Sequence, residues 1–191
     1  MNVKESIPNT FLNRHIPKFQ NSNPKIQRVL SMLLDHIIMC IVIAPIVILT
    51  IGLLLHFEES LNKVFIIILI FLPYLVYFNK DFFNAKSPAK RILGYQIIDR
   101  KNNELASELQ CFVRNLTIIA WPIEVIIGLI NPERRIGDFL ANTKVVVSEK
   151  EKLRSIWVDL KKTTLKINYL GIIIIGGIYF YGLGYLFFDF Y

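Results

Sequence analysis

Residues 37–55 read IIMCIVIAPIVILTIGLLL, nineteen consecutive positions without a charge. As a helix rising 1.5 Å per residue the run covers roughly 28 Å, which matches a hydrocarbon core of about 30 Å. It reads as a transmembrane helix that extends back toward Arg28 through Val29, Leu30, Met32, Leu33 and Leu34, carrying Ser31, Asp35 and His36 inward. Asn23-Pro24 marks its start. Pro45 predicts a kink midway, because a proline frees the carbonyl four residues earlier. The run is too long, and lacks the small-x-small site, for a cleavable leader. Composition agrees with the membrane reading. The 191 residues are 53% hydrophobic and 19% charged, with a mean hydropathy of +0.45. That leaves too little polar surface to cover a soluble globule.

Working outward, Leu61 to Phe78 gives a second span and Ile167 to Phe188 a third. The tail of the third, Tyr179, Phe180, Tyr181, Tyr185, Phe187 and Phe188, resembles an interfacial aromatic belt. Its glycines, Gly171, Gly176, Gly177, Gly182 and Gly184, would let another helix approach closely, which points to a homo-oligomer joined through this helix. Leu116 to Ile130 differs. Its 15 residues reach only about 22 Å as a helix, and they contain Pro122 and Glu124. Such a stretch is tolerable as a re-entrant or in-plane element, where protein or water satisfies the polar groups.

Charge separates the two readings. Four Lys/Arg precede Ile26, six lie between Asn79 and Cys111, and nine between Asn131 and Ile167, whereas the loop from His56 to Lys63 has Lys63 alone against Glu58 and Glu59. Because basic loops stay cytosolic, a single crossing by 116–130 would put the nine-charge segment outside. The expected architecture is therefore an all-α membrane protein: three transmembrane helices, a short re-entrant or in-plane segment, and a small cytosolic cap. The amino terminus lies inside and the carboxyl terminus outside, with a bacterial cytoplasmic membrane as the expected location. A four-span arrangement is the alternative.

Residues 1–25 read as a flexible cytosolic arm, 26–147 as the membrane domain, 148–166 as a charged interfacial segment and 167–191 as the final helix. Within the cap, RILGYQIID (91–99) and ANTKVVVS (141–148) suit a two-stranded patch at the membrane surface. RILGYQII suits equally an in-plane amphipathic helix with Lys90 and Arg91 toward lipid headgroups. In 149–162, Leu153, Ile156, Trp157 and Leu160 recur at helical spacing, giving either an interfacial helix anchored by Trp157 or a solvated linker. Cys40 and Cys111 have no metal or disulfide spacing and read as packing residues.

Ionisable groups at membrane depth are costly enough to be functional candidates. Arg28 and Asp35, seven residues apart, share one face of the first helix with an axial separation near 10 Å. A third group in that gap is easier geometry than direct pairing. A buried carboxylate takes up a proton when isolated and stays charged beside a base, so Asp35 suits proton-coupled transport. The plainer reading places it at the cytosolic boundary. His36 points about 100° away. In NPERRIGDFLANTKVVV (131–147), Arg134, Arg135 and Asp138 fall within about one helical turn, and the i,i+4 spacing of Arg134 and Asp138 allows an ion pair.

These residues resemble the pattern of the RDD family of membrane proteins, named for one arginine and two aspartates. Arg28, Asp35 and Asp138 match the three letters. Ser87-Pro88, Lys90-Arg91, Gly94, Arg114-Asn115, Pro132, Arg134-Arg135, Ala141, Thr143 and Val145-Val146 extend the match over residues 26–147. Ala89, Asn131, Gly137 and Asn142 depart from it, where the family commonly has Gly, Asp, His and Gly. The resemblance implies suspected transport, with some members resembling monovalent cation/proton antiporters. An RDD segment also occurs in a eukaryotic membrane protein that assists a protein-degradation complex.

The expected function is proton-coupled exchange of a small cation, possible as an oligomer, with Arg28, Asp35 and Asp138 central and Arg134, Arg135, Glu124 and His36 in support. The competing class is a non-catalytic accessory or scaffold protein, with a protein partner, in which the same residues form a structural ion network. No Ser/His/Asp arrangement, phosphate-binding loop or H-E-x-x-H is present, so no enzyme, cofactor or metal is expected. Beyond its charge of +7 the chain carries no nucleic-acid motif; the lipid bilayer is the expected partner.

Overall fold

The computed structural model describes residues 24–57, 62–131, 134–164 and 166–188, with the side chain of Arg28 outside the described part. The amino-terminal arm, the Glu58/Glu59 loop and Pro132 also fall outside it. Among the described residues the fold is all-α apart from one long-range antiparallel pair of strands. Helix α1, Pro24–His56, continues through Pro45 for 33 residues, about 50 Å and well beyond the thickness of a hydrocarbon core. Helix α2, Lys63–Phe78, is 16 residues long and capped by the Asn62 side chain, which accepts from the Val64 amide at 3.0 Å.

The cap follows. Ser87 caps α3 (Pro88–Leu93), whose Pro88 supplies a fixed φ in the first turn. Gly94 ends it at φ 77°, where a β-carbon would lie 2.7 Å from the Ser148 carbonyl. Strand β1, Tyr95–Asp99, then pairs antiparallel with β2, Thr143–Val147, in the register Tyr95↔Val147 to Asp99↔Thr143. The 91–99 stretch is thus both elements in succession, a short helix and a strand. Lys90 and Arg91 are buried rather than turned to lipid.

A Ser107/Gln110 capping box opens α4, Glu108–Asn115. A 3-10 turn over Leu116–Ala120 leads to α5, Trp121–Ile130, and Pro122 sits in the first turn of that helix, where its missing amide is harmless. Helical structure therefore runs from Glu108 to Ile130, 23 residues, and by length and apolarity this stretch joins Val29–His56 and Asn168–Leu186 as one of three able to span a membrane. The Val64–Phe78 helix is shorter.

Contact geometry decides how 108–130 is used. Arg135 Nη2 donates to Asn115 Oδ1 at 2.6 Å, and a β-carbon on Gly137 would fall 1.8 Å from the Arg114 carbonyl oxygen. The chain leaves the end of α4 and returns to it at α6, Ile136–Leu140. A single crossing would place those two ends some 30 Å apart. The segment is an out-and-back excursion, which Gly128 packs against Met32 of α1.

Helix α7 covers Ser155–Lys162 and α8 covers Asn168–Phe188. The main core joins Phe78, Phe112, Leu116 and Ile172. Phe180 stacks on both Phe71 and Phe78, and Tyr179 donates to the Leu116 carbonyl at 2.8 Å. Those two aromatics serve the interior and not an interfacial belt; Tyr181 and Tyr185 are exposed. Gly171, Gly176 and Gly184 admit Leu109, Phe112 and Ile67/Phe71 of the same chain, which leaves Gly177 and Gly182 facing open space.

Candidate functional site: a buried chain of ion pairs

Where α1, the α2–α3 connection, α4, α5 and α6 meet, alternating charges form a continuous chain. Asp35 Oδ2 accepts from Lys90 Nζ at 2.7 Å and pairs with Lys80 Nζ at 3.5 Å. Lys90 Nζ also donates to Asp81 Oδ1 at 2.8 Å and Ser87 Oγ at 3.2 Å. Asp81 Oδ2 accepts from Asn115 at 3.0 Å and lies 3.9 Å from Arg114 Nη1. Arg114 Nη2 reaches Asp138 Oδ1 at 2.8 Å, and Arg135 pairs with Glu124 Oε2 at 3.0 Å. Asp138 is held further by the Thr143 hydroxyl at 2.9 Å and the Arg135 amide at 3.1 Å. Glu124 Oε1 accepts from Thr117 Oγ1 and from the Gly137 amide.

Among the described residues four carboxylates thus face four bases, and none of Asp81, Arg114, Asn115, Glu124 or Asp138 has solvent exposure. Burying any one of these charges alone would be prohibitive; pairing and hydrogen bonding make the set tolerable. On α1, Ile26, Leu30 and Leu33 before Asp35, and Ile37 and Ile41 after it, are all exposed apolar residues.

The two ends of the chain differ chemically. Asp138 and Glu124 are held by arginines, which do not lose their proton in proteins. Burial would lower the Arg135 pKa, but Glu124 and Asp138 more than offset it and hold it above the usual value. Asp35 is instead held by lysines, which can. Burial pushes Lys80 down to about 8, against the pull of Asp35 and helped by the nearby Lys90 charge. Burial alone would raise Asp81, yet Lys90, Arg114 and Lys80 hold its carboxyl well below the usual range. Asp35 Oδ1 and Ser31 Oγ, one turn apart on α1, are buried and make no hydrogen bond among the described residues.

A second cluster faces away. Arg91 spans Glu151, Ser155 (2.7 Å), the Phe83 carbonyl (2.9 Å) and Asp159 (2.6 Å), while Lys86 pairs with Glu151 at 2.6 Å. Adjacent residues 90 and 91 of α3 thus serve two different clusters.

Of the residues singled out from sequence, the structure brings Asp35, Asp138, Arg135 and Glu124 into the network. Arg134 lies beside it, its guanidinium 4.0 Å from the centre of the Phe139 ring and bonded to the Asp138 main-chain carbonyl at 3.4 Å. The expected Arg134–Asp138 side-chain pairing is replaced by Arg135, which lies three residues before Asp138 and bonds its carboxylate from the helix cap. His36, expected in support, instead stands apart from the network, bonded to the Tyr77 hydroxyl at 2.7 Å and stacked on Trp121. It borders a 440 Å³ cavity between α1 and α2 whose walls are almost wholly apolar. Lys80, Asp81, Lys90, Arg114 and Asn115 were not among the candidates. Lys90, Arg114 and Asn115 did stand in the family pattern, and that was the available signal. Among the described residues no group of three or more His, Cys, Asp or Glu is placed to hold a metal.

No curated protein and no solved structure matches the chain. A family model does, over residues 24–190, which extends the likeness through α7 and α8. With that match covering nearly its whole length, the chain belongs to the RDD family.

Proposed function

We propose that the protein exchanges a proton for a small monovalent cation across the membrane, using the lysine end of the network. The supporting observation is the juxtaposition of Lys80, a buried base that gives up its proton near pH 8, with Asp35, whose Oδ1 has no hydrogen bond among the described residues. A cation received by Asp35 Oδ1 and Ser31 Oγ would repel the Lys80 proton. One charge enters as one leaves, so the buried site keeps its net charge. In this reading Asp138 and Glu124 do not exchange; they hold the re-entrant segment against α4. This narrows the expectation that both aspartates carry the proton. The amino terminus and cap face the cytosol of a bacterial inner membrane, in keeping with the loop charges. Two copies meet through the open α8 face at Gly177 and Gly182, since one chain of three spans encloses no aqueous path.

The test is purified protein in liposomes holding an acidic interior reported by a pH dye. External Na⁺ or K⁺ should collapse the gradient for the parent and not for Asp35→Asn. A gradient that none of the alkali cations collapses ends the reading.

One observation favours a second reading. Among the described residues the network sets four carboxylates against four bases, as a structural set would. Under an accessory or scaffold role, Asp35→Asn would lower thermal stability as much as Asp138→Asn, and a constant protein partner would co-purify.

A further inference from the structure

Helix α7 and the turn before it carry both signs of charge in sequence, yet the two signs go to different places in the fold. Glu151 and Asp159 are drawn inward by Lys86 and Arg91. Ser155, on the same face as Asp159, is drawn in with them. What remains outward over residues 152–162 is Lys152, Arg154, Lys161 and Lys162, together with Leu153, Trp157, Val158 and Leu160, all exposed. Four cations, no carboxylate and four large apolar side chains share this surface.

We infer that this surface docks flat on a bilayer bearing anionic phospholipid, with Trp157 among the acyl chains and the four bases at the headgroup phosphates. Two features name that occupant. The charge left outward is of one sign and complements an anionic surface, which attracts basic residues beside a membrane-entering helix. The surface also lies next to the spanning helix: α8 begins six residues after α7, and Ile167, 90% exposed, Leu170 and Ile173 at its start are exposed apolar residues. An amphipathic helix that presents Trp and aliphatics between lysines lies in the interface plane. The buried pairs to Arg91 fix which face of α7 is offered. This inference is independent of whether the ion network transports anything.

The experiment uses the full chain in a Trp121→Phe background, so that Trp157 is the only indole. The protein is reconstituted into vesicles of phosphatidylcholine alone or mixed with phosphatidylglycerol, with bromine on the acyl chains to quench any tryptophan they touch. Quenching of Trp157 should be strong with phosphatidylglycerol, fall by more than half without it, and fall likewise in about 1 M salt, where the screening length is roughly 3 Å. The variant carrying Lys152→Glu, Lys161→Glu and Lys162→Glu should lose the difference between the two lipids. Should that variant fail to fold, the salt titration of the Trp121→Phe protein carries the same test. Absence of quenching in both vesicles would mean that water or another protein covers the helix, and would overturn the inference. Equal quenching in both, unmoved by salt, would overturn it too.

Discussion

Lysine and arginine are both cations at neutral pH, but burial separates them, and the network exploits the difference. Asp35→Asn leaves Lys80 without its carboxylate partner, and Lys80 can respond by releasing a proton it already holds loosely. Asp138→Asn leaves Arg114 facing a neutral group with no such escape. The expected cost is about 3–5 kcal/mol for Asp138→Asn and distinctly less for Asp35→Asn above pH 8, measured as detergent-solubilised unfolding. Lys80 also predicts a pH dependence. Its folded pKa of about 8 lies below the unfolded value of about 10.4, so between those limits the unfolded state binds more protons and stability rises with pH. Comparison of the parent with Lys80→Met from pH 8 to 10.5 should show an alkaline gain of order 3 kcal/mol present only in the parent. If the two curves run parallel, Lys80 is not the loosely held base.

At the scale of elements, the re-entrant segment depends on one close approach. Gly137 brings the α6 backbone against that of Arg114, and any β-carbon there would overlap the carbonyl. Gly137→Ala should therefore abolish accumulation of folded protein, read by size-exclusion profile, whereas Gly177→Ala, with nothing within 4 Å, should leave the monomer fold intact. The first and last spans were legible because apolar runs are a one-dimensional signal, whereas the helix in the second run, α2, is 16 residues and shorter than the span expected over 61–78. The re-entrant reading of 116–130 was legible from its Pro122, Glu124 and the charges beyond it. The partners of Asp35 were not. Lys90 lies 55 residues away and Lys80 falls in a loop whose bases charge counting treats as solvated. Nothing local distinguishes a lysine that enters a core from one that faces lipid, and the in-plane-helix reading, one of two left open, turned Lys90 and Arg91 to headgroups when both are buried. The i,i+4 pairing of Arg134 with Asp138 failed for a related reason. Helix α6 starts only at Ile136, so Arg134 is not on the helix at all.

For the whole molecule, the out-and-back path sets the topology. Single cysteines at Asn102 and Lys150, in a chain freed of Cys40 and Cys111, should react with an impermeant reagent from one side of the membrane, and a cysteine at Glu58 from the other. Opposite accessibility of Asn102 and Lys150 would restore the four-span arrangement. On that topology α1, the α2–α3 connection, α3, α4, α5 and α6 converge on one buried chain of charges, with a lysine end beside α1 and an arginine end beside α6. The most direct test of what this chain does needs no membrane. Purified protein in detergent and weak buffer near pH 8 should release up to one proton per chain when Na⁺ or K⁺ is added in place of a bulky organic cation, and Asp35→Asn should release none. Absence of release from the parent, or equal release from Asp35→Asn, would contradict the account.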